Sequence, residues 1–157
     1  MPLSPRTRMQ IRPLEATDLE AWVRMRQALW PYHSADELRA DAERILGGDA
    51  APFLKIMTFV AEDAEGLCGF IEASLHPFAD GCTTSPVGYI EGWYVAADLR
   101  GEGIGAKLVR AAENWARSEG CTEMASDAHA DNELSRKAHK ALGYKEKRPV
   151  VRFRKDL

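Results

Sequence analysis

One stretch limits the fold more than any other. Arg100-Gly101-Glu102-Gly103-Ile104-Gly105 stands between a β-forming run, Val87–Val95, and an amphipathic helical pattern over Gly103–Glu119. Glycine takes up backbone conformations closed to other residues and lets a ligand come close to the chain. The first N–H groups of a helix have no intrahelical partner, and the macrodipole adds partial positive charge at the same end. Strand, glycine-rich loop and helix N-terminus in this order form a cradle for an anion. Two familiar phosphate loops do not fit. A P-loop needs Gly-Lys-Ser/Thr, whereas Gly105 is followed by Ala106-Lys107. A dinucleotide fingerprint belongs after the first strand of alternating βα units, and this loop follows the fourth predicted strand. A bare G-x-G also suits a helix start that uses glycine only for packing, and spacing alone leaves both readings open.

The rest of the chain supplies the frame. Gln10–Leu14 reads as a short strand. Thr17-Asp18 reads as an N-cap before a helix with Leu19, Trp22, Met25, Arg26 and Leu29 on one stripe, ended by Pro31. Ser34 caps a second helix over Ala35–Leu46, stopped by Gly47-Gly48. Phe53–Ala61 and Leu67–Leu75 form a hairpin turned by Asp63-Ala64-Glu65-Gly66. After a loop over residues 76–86 and the Val87–Val95 strand comes the long helix, closed by Gly120. A short strand over Glu123–Ser126, a helix over Asn132–Leu142 closed by Gly143, and a last strand over Tyr144–Arg154 bent at Pro149 complete the order β-α-α-β-β-β-α-β-α-β. The expected fold is mixed α/β (α+β), a central, mainly antiparallel sheet with helices on both faces.

Bulk properties exclude several classes. The 157 residues suit one domain, expected over residues 10–157, with residues 1–9 as a flexible leader. That leader lacks the apolar stretch of a secretory signal. No run approaches the roughly 18 apolar residues of a membrane span. The net charge of −3 gives no electrostatic help toward nucleic acid and is compatible with a cationic small molecule. Cys68, Cys82 and Cys121 are an odd set without metal spacing, which reads as three reduced thiols in a cytoplasmic protein. His76 and His129 fall in predicted loops with no third ligand at suitable spacing, so no metal is expected. Trp22 and Trp115 follow helical spacing and read as core.

Val95 and the Arg100-x-x-Gly103-x-Gly105 segment resemble the acetyl-CoA signature of the GNAT superfamily, Arg/Gln-x-x-Gly-x-Gly/Ala, and the family's element order matches from residue 10 onward. The resemblance implies an acyltransferase with acetyl-CoA as co-substrate. Its pyrophosphate would rest on the amides of Arg100, Gly101, Glu102, Gly103, Ile104, Gly105 and Ala106. Trp93, Tyr94 and Val95 would offer backbone to the pantetheine arm, and Asn132 matches the Asn near the start of the next helix. The family usually places a Tyr before the closing Gly-Phe to protonate the departing thiolate. Here the closing pair is Gly143-Tyr144 and the matching position is His139. Imidazole can donate a proton near neutrality, or His139 can simply pack beside the cofactor.

Leu29-Trp30-Pro31, Gly81-Cys82, Ser85-Pro86, Ile90-Glu91-Gly92 and Met124-Ala125-Ser126-Asp127 together look like aminoglycoside 6'-N-acetyltransferases. Such acceptors are polycations, and a pocket for them needs carboxylates. The resemblance implies Glu91 and Asp127 on the acceptor side. Glu91 would bind the ammonium and help remove the proton of the attacking amine. Trp30 and His33 match positions lining the sugar pocket, and Phe78 stands where relatives tend to carry Tyr. Lys145, Lys147 and Arg148 flank Glu146, where relatives often add an acid. The implied protein is a homodimer. Two other readings stay open: an acetyltransferase for another amine, such as a polyamine, a metabolite or a protein N-terminus, and a non-catalytic acetyl-CoA-binding protein.

Overall fold

The computed structural model describes residues 9–49 and 54–157. The leader, apart from Met9, and the predicted strand start at Phe53 lie outside the described residues. Two compact units emerge, one ending at Ser126 and the other running from Asp127 to Leu157.

The first unit is built on five strands in the order β1-β2-β3-β4-β5. They are β1 (Gln10–Pro13), β2 (Ile56–Asp63), β3 (Gly66–His76), β4 (Val87–Val95) and β5 (Met124–Ser126). The first four pair antiparallel and β5 runs parallel to β4. Three helices belong to this unit: α1 (Leu19–Leu29), α2 (Ala35–Leu46) and α3 (Ile104–Ser118). A helix over Glu133–Ala141, α4, lies in the second unit. No helix among the described residues is long and apolar enough to cross a membrane.

Period two along β3 decides which helix lies on which face. Phe70, Glu72 and Ser74 point to the α1 side, where Trp22 Nε1 and Arg26 Nε both donate to Glu72 Oε1 at 3.1 and 2.7 Å. The glycine among the opposite set, Gly69, lies against Leu108 of α3. The α1-side core holds Trp22, Val23, Met25, Ala42, Val60 and Phe70. Trp115 is buried on α3, as its helical spacing predicts.

Local starts and stops follow capping chemistry. Ser34 Oγ accepts from Glu37 N while the Glu37 carboxylate accepts from Ser34 N, a reciprocal cap for α2. The start of α1 differs from expectation. Ala16–Asp18 forms a 3₁₀ turn, and Asp18 accepts from Glu15 N and from Arg12 instead of capping α1. Arg12 holds the Asp18 carboxyl below its ordinary range. The hairpin turns at Ala64-Glu65, with Glu65 N donating to Asp63 Oδ1 at 2.8 Å.

The strand expected over Tyr144–Arg154 does not form. Pro149 removes a ladder donor. Val150, Val151 and Phe153 find no strand to pair with and stand exposed among Arg148, Arg152, Arg154 and Lys155.

Candidate active site

The loop before α3 is shaped by backbone. Gly101 and Gly103 sit at φ 83° and 87°, in the left-handed region, where a Cβ meets empty space but strained dihedrals. Gly103 is the N-cap of α3 and no side chain caps the helix there. Its first amides are thus left for an outside acceptor. Arg100 folds back, its Nε donating to Val95 O at 2.9 Å and its guanidinium 5.8 Å from the Tyr94 ring centre. A Cβ on Gly105 would lie 3.0 Å from the Trp93 indole, so Gly105 makes room for that ring on the α3 side. Glu102 is exposed, Ile104 is buried and anchors the first turn in the core, and Ala106 continues it half-buried.

A β-bulge divides β4. Glu72 pairs with Gly92 and Ala73 with Ile90, so Glu91 is the extra residue. Strict alternation would put Gly92 and Trp93 on the faces opposite to those they occupy. With the bulge, Glu91 and Gly92 both face α1, and Trp93 turns to α3. Gly92 lies under Trp30, whose ring a Cβ there would meet at 2.7 Å. β5 ends opposite Ile90, and its ladder does not run on along Glu91–Val95.

Trp30 is held from behind. It is edge-on to Phe70, and its other neighbour is the Arg26 guanidinium, which sits between Trp22 and Trp30 at 5.2 and 5.0 Å from their centres. Arg26 also donates to Leu38 O and, through two nitrogens, to Glu72. Burial pushes the Glu72 carboxyl up, and Arg26 opposes that push. Removing one member of such a pair strands a buried charge, at about 3–5 kcal/mol.

Glu91 meets two donors from β3. Ser74 Oγ is 2.5 Å and His76 Nε2 2.7 Å from Glu91 Oε1. The His76 ring stacks on Tyr89 at 4.4 Å. Beyond β3, the loop over residues 77–86 is tied down by Glu123, which accepts from Thr83 N, Thr84 N and Thr84 Oγ1. Those bonds lower the Glu123 carboxyl to about 2. Phe78 in this loop is 81% exposed. His33 is also exposed, 3.8 Å from Glu37. Neither touches Trp30 or Glu91 through a side-chain bond that the structure records.

The second unit carries the remaining candidates. Asp127 is its first residue. Asn132 is the N-cap of α4, its Oδ1 accepting from Ser135 N at 3.1 Å. His139 Nδ1 lies 2.7 Å from Ser135 O, and its ring stands edge-on to Tyr144. A carbonyl only accepts, so Nδ1 carries the proton of a neutral His139. An acid acting at Nε2 must therefore be the imidazolium. Glu146 is bound by Arg136 and Lys140 of α4, and not by the flanking Lys145, Lys147 or Arg148; these bonds lower its carboxyl to about 2.

The acetyltransferase (GNAT) family model matches residues 22–144. The chain belongs to the GNAT family. It is 43% identical to the aminoglycoside N(6')-acetyltransferase type 1 of Klebsiella aerogenes, over 94% of this chain and 96% of that protein. Solved structures of AAC(6')-Iy are among those similar to this chain. AAC(6')-Iy in complex with the bisubstrate analog CoA-S-monomethyl-acetylneamine matches at TM-score 0.86 and 38% identity, over 95% of this chain and 99% of that one. AAC(6')-Iy in complex with CoA matches at TM-score 0.88 and 38% identity, over 99% and 100%.

In this GNAT chain the sequence reading singled out the phosphate loop, Glu91 and Trp30, all of which lie in the first unit. It missed Arg26, Glu72, Ser74 and His76 as parts of the same face. A signal was present: Glu72, Ser74 and His76 recur at period two along a strand otherwise apolar and small.

Proposed function

We propose that this GNAT chain transfers an acetyl group from acetyl-CoA to the 6'-amine of aminoglycoside antibiotics, by direct attack with both substrates bound. The observation that carries the reading is Glu91, a carboxylate held at the bulge next to Gly92 and Trp30, on the strand that leads into the phosphate loop. The likeness to a protein bound to a CoA–neamine bisubstrate analog supports it.

The donor half fits the chain. The uncapped amides from Gly103 to Ala106 and the turn at Arg100–Glu102 suit a pyrophosphate, and the Trp93–Val95 edge of β4 suits an amide-bearing arm. When bound, acetyl-CoA supplies the activated acyl carbon. Asn132 belongs to this half by family position.

On the acceptor side Glu91 pairs with the ammonium and takes its proton, directly or through water, since only a free amine attacks. By family position Asp127 would add a second carboxylate for a polycation, and His139 as imidazolium would protonate the departing thiolate. Trp30 offers an apolar face to a sugar ring, with His33 and Phe78 at the margin. Proximity of two bound substrates removes the need for an acetylated enzyme.

We read residues 10–157 as one functional domain in a cytoplasmic protein. Three free cysteines support that compartment, and burial pushes the Cys68 thiol up to about 11, which keeps it unreactive. We read the chain as a homodimer, supported by the exposed Val150, Val151 and Phe153. Light scattering on the chain and on Phe153→Asp checks this: a monomer in both cases ends it.

The deciding assay follows CoA release with kanamycin, tobramycin, spermidine and a peptide amine. Turnover with the first two is expected. No turnover with either defeats the reading, and turnover with spermidine or peptide alone names the acceptor class instead.

A further inference from the structure

Glu91 is the extra residue of a bulge, so the ladder does not order it as it orders its neighbours. A glutamate side chain there has three torsions to fix before it can meet an amine in one geometry. Two groups on β3 do this. Ser74 is fully buried, and its hydroxyl lies 2.5 Å from Glu91 Oε1. His76 Nε2 lies 2.7 Å from the same oxygen and 3.1 Å from Ser74 Oγ. The imidazole plane is set by its stack on Tyr89, 4.4 Å between centres and 23° between planes.

A carboxylate oxygen only accepts, so Ser74 and His76 both donate to it. Both bonds fall on Oε1. Among the described residues no side chain donates to Oε2. Arg26, on the α1 side, is already committed to Glu72 and Leu38 O.

We infer that Ser74 and His76 are positioning residues that clamp Glu91 by Oε1 and so present Oε2 to the acceptor amine. This rests on the role of Glu91 given above. The clamp is formed in folding, so its ordering cost does not fall on substrate binding.

The test uses steady-state kinetics on the full chain with acetyl-CoA and kanamycin. His76→Phe keeps a ring for Tyr89 and loses the donor; His76→Gln keeps an N–H donor near the Nε2 position and loses the stack. His76→Phe is expected to lower kcat about tenfold with the KM for acetyl-CoA unchanged, and His76→Gln to recover to within about threefold of wild type. Ser74→Ala follows His76→Phe in direction. In a Glu91→Gln background, His76→Phe adds less than about twofold, because the two act as one unit. If His76→Phe does not fold, His76→Asn, too short to reach Oε1, takes its place. Wild-type kcat in His76→Phe, or His76→Gln no faster than it, overturns the clamp: the ring then matters only as packing. Wild-type turnover in Glu91→Gln is a different failure, since it removes the role of Glu91 itself.

Discussion

The loop before α3 and the β3–β4 face differ in what they are made of. The loop is backbone: two glycines at positive φ and a run of uncapped amides, with side chains turned away or to solvent. The face is side chain: Glu91, Ser74, His76 and Trp30 brought together by pairing register and by a helix on top. A backbone site tolerates side-chain change and is broken by a dihedral. A side-chain site tolerates backbone-neutral change and is broken by losing one donor.

The largest effect expected is on the support of the face. Arg26→Met strands Glu72 and should cost about 3–5 kcal/mol. In a thermal melt that is a Tm drop of roughly 10 °C. Arg26→Met with Glu72→Leu should recover most of it; no recovery means that the Trp22–Arg26–Trp30 stack, and not the charge, carries the stability. Next comes chemistry. Glu91→Gln should lower kcat about 100-fold and leave acetyl-CoA KM alone, as for loss of a general base. A parallel rise in that KM erases the division between the two regions.

The loop gives a smaller effect. Gly103→Ala forces a Cβ into the left-handed region at about 1–2 kcal/mol; the free loop sheds that strain by leaving the conformation and CoA must restore it, which calorimetry should read as about tenfold weaker binding. Glu102→Ala should leave binding within about twofold, and a larger loss means the loop also binds through side chains. The smallest effect concerns Glu123. Its folded carboxyl sits near 2 against an ordinary 4.5, with Thr84 and Thr83 the cause. A depressed acid stabilises above its unfolded value and loses that contribution as pH falls from about 4.5 to 2. Glu123→Gln should flatten the fall of Tm across that window, and an unchanged slope means the Thr83–Thr84 contact does not hold in solution.

The same difference explains what was legible in the chain before its structure. The loop is local: Gly101, Gly103 and Gly105 declare themselves by spacing, and so do Ser34 as a cap and Trp22 as core. The face is nonlocal. Nothing near residue 91 announces that His76, fifteen positions away, is its partner. The bulge is a matter of which residue is left out of a ladder, and no residue type marks it. The expected last strand failed for the same reason. Val150, Val151 and Phe153 have the right propensity, but propensity does not supply a neighbour to pair with.

The bulge at Glu91 also sets how this site can change over generations. It works as a frame shift in the alternation of β4, assigning residues before it and after it to sides by count and not by type. Swapping one amino acid for another leaves the count intact. Deleting a single codon between Gly88 and Gly92 closes the bulge, so that Glu91 is either lost or turned toward α3 while Gly92 stays opposite Glu72. Variation in acceptor range should therefore accumulate in this strand through substitutions, while changes of length are confined to the 77–86 loop.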